Sequence, residues 1–190
     1  MIVTVEESVE LVLPAGWREL PPARVMQTDD WMWEWVECTE VACDRRETFT
    51  RSLAALSRFA RDAADDGRTW IVLSGAAVGT AAVGVAAIRL IDPAHAEVER
   101  EFLIPDVHSW SRTRSRGRVP FGEVYSMQDI IVAPVPGTEG ESVLTERYIG
   151  SVTSDHAALC VQLEIFAPSV DAFGDIIAVG EAALAGLRFA

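Results

Sequence analysis

The chain of 190 residues carries a formal net charge of −13, is 49% hydrophobic with six tryptophans, and has a mean hydropathy of +0.18. That length suits one domain, residues 1–190, able to bury about 70% of its unfolded surface without a covalent staple. The charge excludes broad binding to nucleic acid or to an anionic membrane, since both need a positive field.

Residues 2–13 alternate toward Leu11 and Leu13 and stop at Pro14-Ala15-Gly16-Trp17, which predicts a strand ending in a turn. Residues 31–37 place Trp31, Trp33 and Trp35 on one side of a second strand, with Met32, Glu34 and Val36 on the other. Phe49, Leu53, Leu56, Phe59, Ala60 and Ala63 then form the stripe of a helix over 46–65, closed by Asp65-Asp66-Gly67.

From there the pattern is strand, over 70–73, 78–91, 96–104, 124–135, 142–151 and 158–167. Ser74, Gly75, Gly79, Thr80, Gly84 and Arg89 interrupt the apolar stretch from Ile71 to Ile91, so it reads as two strands around a Ser-Gly turn and not as a membrane span. Residues 136–140, Pro-Gly-Thr-Glu-Gly, predict a hairpin. Pro168 stops the last of these strands, and Ser169 and Asp171 cap a final helix over 172–187. Consecutive strands joined by short turns pair antiparallel, so the expected fold is α+β, an antiparallel β-sheet flanked by two amphipathic helices.

That element order resembles the Mog1/PsbP-like superfamily, which includes actinobacterial lipoproteins and bacterial chaperone-like proteins. The residues that carry the resemblance are Val12-Leu13-Pro14-Ala15-Gly16-Trp17 and the ending from Ile165-Phe166-Ala167-Pro168 to Ala185-Gly186-Leu187-Arg188-Phe189, while 92–120 is unmatched. The resemblance implies a small binding, adaptor or chaperone-like module with a protein partner, such as a secreted effector or toxin. It brings no shared catalytic motif.

The chemical residue types do not assemble. His95, His108 and His156 lack metal-ligand spacing, and His95-Ala96-Glu97 is not followed by the cysteine pair of a zinc deaminase. Ser154-Asp155-His156 has the residue types of a hydrolase triad, but neighbours in a turn cannot meet as nucleophile, base and orienter. Gly75, Gly79 and Gly84 match no phosphate-binding motif and read as small positions under a closely packed helix. Cys160 falls inside an alternating strand as a buried thiol. No catalytic residue, metal site or cofactor is therefore expected. Three cysteines without a Cys-x-x-Cys pair, and no basic-then-apolar leader after Met1, predict a reducing cytoplasm.

Two features rise above this background. Arg112, Arg114, Arg116 and Arg118 alternate with Ser111, Thr113, Ser115 and Gly117, so an extended backbone would put four guanidinium groups on one side. The stretch reads first as a solvated hairpin, and second as an arm that docks an acidic partner or pairs across a homodimer. Sixteen Arg beside no Lys and no Asn also fit GC-rich coding, so the choice of Arg carries no message by itself. Trp31, Trp33 and Trp35 either cover a helix in the core or line an apolar groove or dimer face. The function expected is a non-enzymatic module that recognises a protein segment through an apolar sheet face or groove, as a homodimer. The alternative is a small enzyme or small-molecule binder in a sheet–helix cleft, with Glu97, Glu99 or Glu123 as an inward-facing carboxylate.

Overall fold

The computed structural model describes residues 2–6, 9–19, 46, 47, 50, 69–74, 83–94, 111–134, 142–155, 159–167, 169 and 172–189. Among them the strands are β1 (Ile2–Glu6), β2 (Val9–Val12), β3 (Trp17–Glu19), β4 (Thr69–Ser74), β5 (Val83–Ile91), β6 (Arg112–Val119), β7 (Gly122–Pro134), β8 (Ser142–Ser154), β9 (Cys160–Ala167) and β10 (Leu187–Phe189). One continuous helix, α1 (Ile176–Leu184), accompanies them. The strands form a three-stranded sheet, β1-β2-β10, and a seven-stranded sheet, β3-β4-β5-β9-β8-β7-β6, with every neighbour antiparallel.

This corrects the expected α+β class, an antiparallel β-sheet flanked by two amphipathic helices. The described residues are mostly β, in two sheets, and α1 is the one continuous helix among them. Three local causes account for the difference. The alternating run over 2–13 folds back on itself as a hairpin, with Val3 opposite Leu11. The arginine stretch, read as a solvated hairpin between strands, is itself strand β6 and pairs with β7 along its whole length. The end of the chain leaves the helix, because Leu187, Arg188 and Phe189 alternate with period two and pair with Leu11, Glu10 and Val9. Of the helix expected over 46–65, Arg46, Glu47 and Thr50 are helical, the Thr50 hydroxyl donating to the Arg46 carbonyl at 2.8 Å. The remainder lies outside the described residues, as do Trp31, Trp33, Trp35 and the strand expected over 96–104.

Other expectations hold. Leu13-Pro14-Ala15-Gly16-Trp17 is a turn, Gly16 taking φ 81° and the Trp17 N–H donating to the Pro14 carbonyl at 3.2 Å. It carries the chain from the small sheet to the large one, and both Leu13 and Trp17 are buried. β4 and β5 are the two antiparallel strands read within 71–91. β7 and β8 pair from Pro134 opposite Ser142 to Gly122 opposite Ser154, as a hairpin over 136–140 requires. Among the described residues no helix is long and apolar enough to cross a membrane.

Helix α1 begins later than its sequence pattern suggests. Gly174 at φ 70° turns the chain, and Asp175 caps the helix, its Oδ1 accepting from the Ile177 and Ala178 N–H groups at 3.1 Å each. Ile176, Gly180, Ala183 and Leu184 make one stripe and bury it on the large sheet. The sheet answers with Ala86, Ile88, Val124, Tyr148, Val152, Val161, Leu163 and Ile165, and β2 and β10 join this core through Leu11 and Leu187. The opposite face of the central strands is buried as well: Val85, Ala87, Met127, Asp129, Ile149 and Cys160 all lie there.

Candidate binding edge and its two polar clusters

Strand β6 turns back into β7 through Pro120 and Phe121, which places Val119 opposite Gly122 and each arginine at a fixed station on β7. Arg112 faces Asp129, Arg114 faces Met127, Arg116 faces Tyr125 and Arg118 faces Glu123. The expectation that four guanidinium groups share one side therefore holds. What the spacing could not show is that the sheet itself supplies their counter-charges. Arg116 pairs with Glu123 and lies over the Tyr125 ring at 5.3 Å, and Arg118 pairs with Asp155. The Glu123 hydrogen bond, followed by its charge, raises the Arg116 guanidinium further above its ordinary value. Arg114 also has an interaction partner. Glu123, considered as an inward-facing carboxylate, instead sits on the face away from α1; Glu97 and Glu99 lie outside the described residues.

Arg112 is different in kind. It leans on Asp129, which is 0% exposed and already held by Arg147 through Nε at 2.9 Å and Nη2 at 2.7 Å. Arg112 adds Nη2 at 3.3 Å, and its own side chain is 12% exposed. Two guanidinium groups thus converge on one buried carboxylate. Arg112 Nε and Nη1 are buried with no hydrogen-bond partner. Leaving such donors unmade costs about 1–3 kcal/mol for each group.

A second polar chain runs along the seam between α1 and the sheet. Gln128 Nε2 donates to Glu146, which is almost fully buried. Beside them Tyr148 rests over Gly150 of its own strand and Gly180 of α1, where a Cβ at either position would overlap its side chain. The Tyr148 hydroxyl is buried and has no hydrogen-bond partner, while the neighbouring Ser126 hydroxyl donates to Glu181 at 3.2 Å. Burial, and after it the charge of Glu181, push the Tyr148 phenol above its ordinary range.

The sign of the resulting pH dependence follows. An acid whose folded pKa exceeds its unfolded value of about 10 contributes full stability below pH 10 and loses it above, by roughly 1.4 kcal/mol per pH unit. The chain has no lysine and two tyrosines, so apart from its three thiols little else titrates in that window. We expect absorbance at the tyrosinate band to report Tyr148 only on unfolding. Tyr148→Phe should flatten the alkaline loss of stability and raise the neutral-pH value by about 1 kcal/mol. A tyrosinate signal lost in Tyr148→Phe while the parent is still folded would contradict this.

Asp129, Arg147, Ser126, Glu146, Tyr148 and Glu181 were not marked by the sequence, because each stands alone until strand register brings it to its neighbours. Among the described residues no group of three or more His, Cys, Asp or Glu is placed to hold a metal ion. Cys160 is buried, with the Thr153 hydroxyl 3.7 Å from its sulfur. No family model and no curated protein matches the chain.

Proposed function

We propose that the chain is a non-enzymatic binding module that receives an extended segment of a protein partner along β6. The observation that carries this reading is the register of that strand. The Ile130 N–H donates to the Ser111 carbonyl at 3.2 Å, which makes the odd-numbered residues of β6 the ones that exchange hydrogen bonds with β7. The backbone N–H and C=O groups of Arg112, Arg116 and Arg118 therefore point to the outer edge, and among the described residues β6 ends the sheet on that side. An added strand would take these groups as its ladder. Exposed pairs such as Arg116–Glu123 and Arg118–Asp155 are weak enough to open for an acidic partner.

This moves the expected apolar recognition from the sheet face to the sheet edge, because the apolar face lies under α1. Apolar surface does remain on the β7–β8 ladder, where Val132 and Leu144 stand opposite each other at 44% and 42% exposed. A homodimer, if formed, would bury that pair, and its sedimentation would then resist high salt.

Arg116→Pro tests the reading, since proline removes an outward N–H and leaves the ladder to β7 intact. In fluorescence anisotropy an octapeptide alternating Glu and Val should bind, should weaken with salt, and should be lost in Arg116→Pro. Equal binding of a Lys-Val octapeptide, or an unaltered affinity in Arg116→Pro, would remove the proposal. A second reading, a small-molecule site at the α1 seam, is favoured by the orphaned Tyr148 hydroxyl beside Ser126 and Glu181.

A further inference from the structure

We infer that the segment received along β6 carries an aromatic side chain opposite Gly117, between two carboxylates that face Arg116 and Arg118. This rests on the edge-strand reading above and adds to it the class of partner. Gly117 is a glycine with no local need. Glycine weakens a strand interior, and where it is found there it often marks a bulge or the close approach of another chain. β6 and β7 pair without a register shift from Arg112 to Val119, which excludes a bulge. Positive φ among the described glycines belongs to Gly16 and Gly174, so the backbone at Gly117 is one that other residues adopt. Packing does not demand glycine either. A Cβ there would meet Val124 Cγ1 at 3.3 Å, which a small shift relieves, whereas one at Gly122 would overlap the Thr153 carbonyl. Gly117 therefore fits a place kept open for another chain.

The surroundings select what fills it. On the α1 side of the sheet, Leu90, Val161, Val152, Val124 and Gly117 stand opposite one another in turn across β5, β9, β8, β7 and β6. The three valines are buried, so an apolar row of the core runs out to the sheet edge and ends there without a side chain. Val119, next on that face, is buried, and Phe121 two residues on stacks on the half-exposed Phe189 at 4.9 Å, so apolar surface reaches solvent at this end of β6. The odd-numbered residues of β6 bond to β7, so a residue added opposite Gly117 lies in a non-hydrogen-bonded pair, where side chains come closest. An aromatic side chain there covers the glycine and extends the row, as cross-strand aromatics do for edge glycines. Its neighbours in the added strand point to the other face, where Arg116 and Arg118 present exposed guanidinium groups, so both are acidic. No aromatic residue of this chain lies between two acidic ones, so the occupant is a different protein.

Fluorescence anisotropy of the full chain compares two labelled octapeptides, Glu-Val-Glu-Val-Glu-Val-Glu-Val and Glu-Val-Glu-Trp-Glu-Val-Glu-Val. The tryptophan peptide should bind the parent about threefold to tenfold more tightly. Gly117→Thr fills the space and should bind the two peptides equally, the valine peptide serving as its internal control. Both peptides should be lost in Arg116→Pro. Equal affinities in the parent, or a tryptophan gain kept in Gly117→Thr, would overturn the inference and leave the edge-strand reading standing; binding of neither peptide would overturn both. A parent that sediments as a dimer broken by Arg116→Pro would put a second copy on the edge and overturn the partner named here. Fluorine NMR of the same peptide carrying fluorotryptophan needs no variant. Its bound signal should lose most of its shift between light and heavy water, and a bound signal that keeps all of that shift would overturn the inference.

Discussion

Asp129→Ala is expected to cost roughly 3–5 kcal/mol of folding stability, the loss typical of removing one partner from a buried ion pair. At about 2–4 °C per kcal/mol for a chain of this size, the thermal midpoint should fall by on the order of 10 °C. The reason is specific. Asp129 is 0% exposed and answers two guanidinium groups, so its removal takes the buried carboxylate from both Arg147 and Arg112. Glu123→Ala removes the same chemistry from the same strand, but at the surface, where water replaces the carboxylate at once. That variant should leave the midpoint nearly unmoved. A triple replacement of Arg112, Asp129 and Arg147 by Met, Leu and Met should recover most of the loss, because apolar packing substitutes for a buried ionic group once no charge is left alone. Equal, small effects of Asp129→Ala and Glu123→Ala in chemical denaturation would show that the cluster is screened like a surface pair.

The sequence made the arginine side legible and hid its meaning. Alternation alone placed Arg112, Arg114, Arg116 and Arg118 together. Reading the stretch as a solvated hairpin leaves out the next step, the register of its arms. With Pro120 and Phe121 as the turn, residues equally far from it must face each other, and Arg112 then meets Asp129. Arg147 enters only through the β7–β8 register, set by a second hairpin whose closing pair, Pro134 opposite Ser142, could not be fixed by composition. The same limit explains the ending of the chain. Leu187 continues the helical stripe of Ala183 and Leu184 as well as it suits a strand, and only β2, 178 residues away at the Glu10–Arg188 pair, decides between them. Local strands, turns and the α1 stripe were readable because their determinants are neighbours in sequence. The second sheet and both polar clusters were not, because theirs are neighbours only in space.

Gly180→Val should be the most damaging single change in α1. In an exposed helix, replacing Gly with Ala gains about 1 kcal/mol, since glycine costs backbone entropy. Here the sign reverses. A Cβ at Gly180 would overlap the Tyr148 ring, and that ring cannot retreat because Gly150 already yields its own Cβ space to the far end of the same side chain. Overpacking of this kind costs typically about 1–3 kcal/mol, and the two methyl groups of valine leave no rotamer that avoids the contact. The helix would have to lift, taking Ile176, Ala183 and Leu184 out of the core and separating Glu181 from Ser126. Tyr148→Phe should not rescue the variant, since the overlap is with ring carbons and not with the hydroxyl. Tyr148→Leu should rescue it in part, giving a favourable coupling in a double-mutant cycle. If Gly180→Ala instead raises the thermal midpoint, the close approach of α1 to β8 is wrong, and the seam holding Tyr148, Ser126 and Glu181 has room for a ligand that the packed arrangement denies.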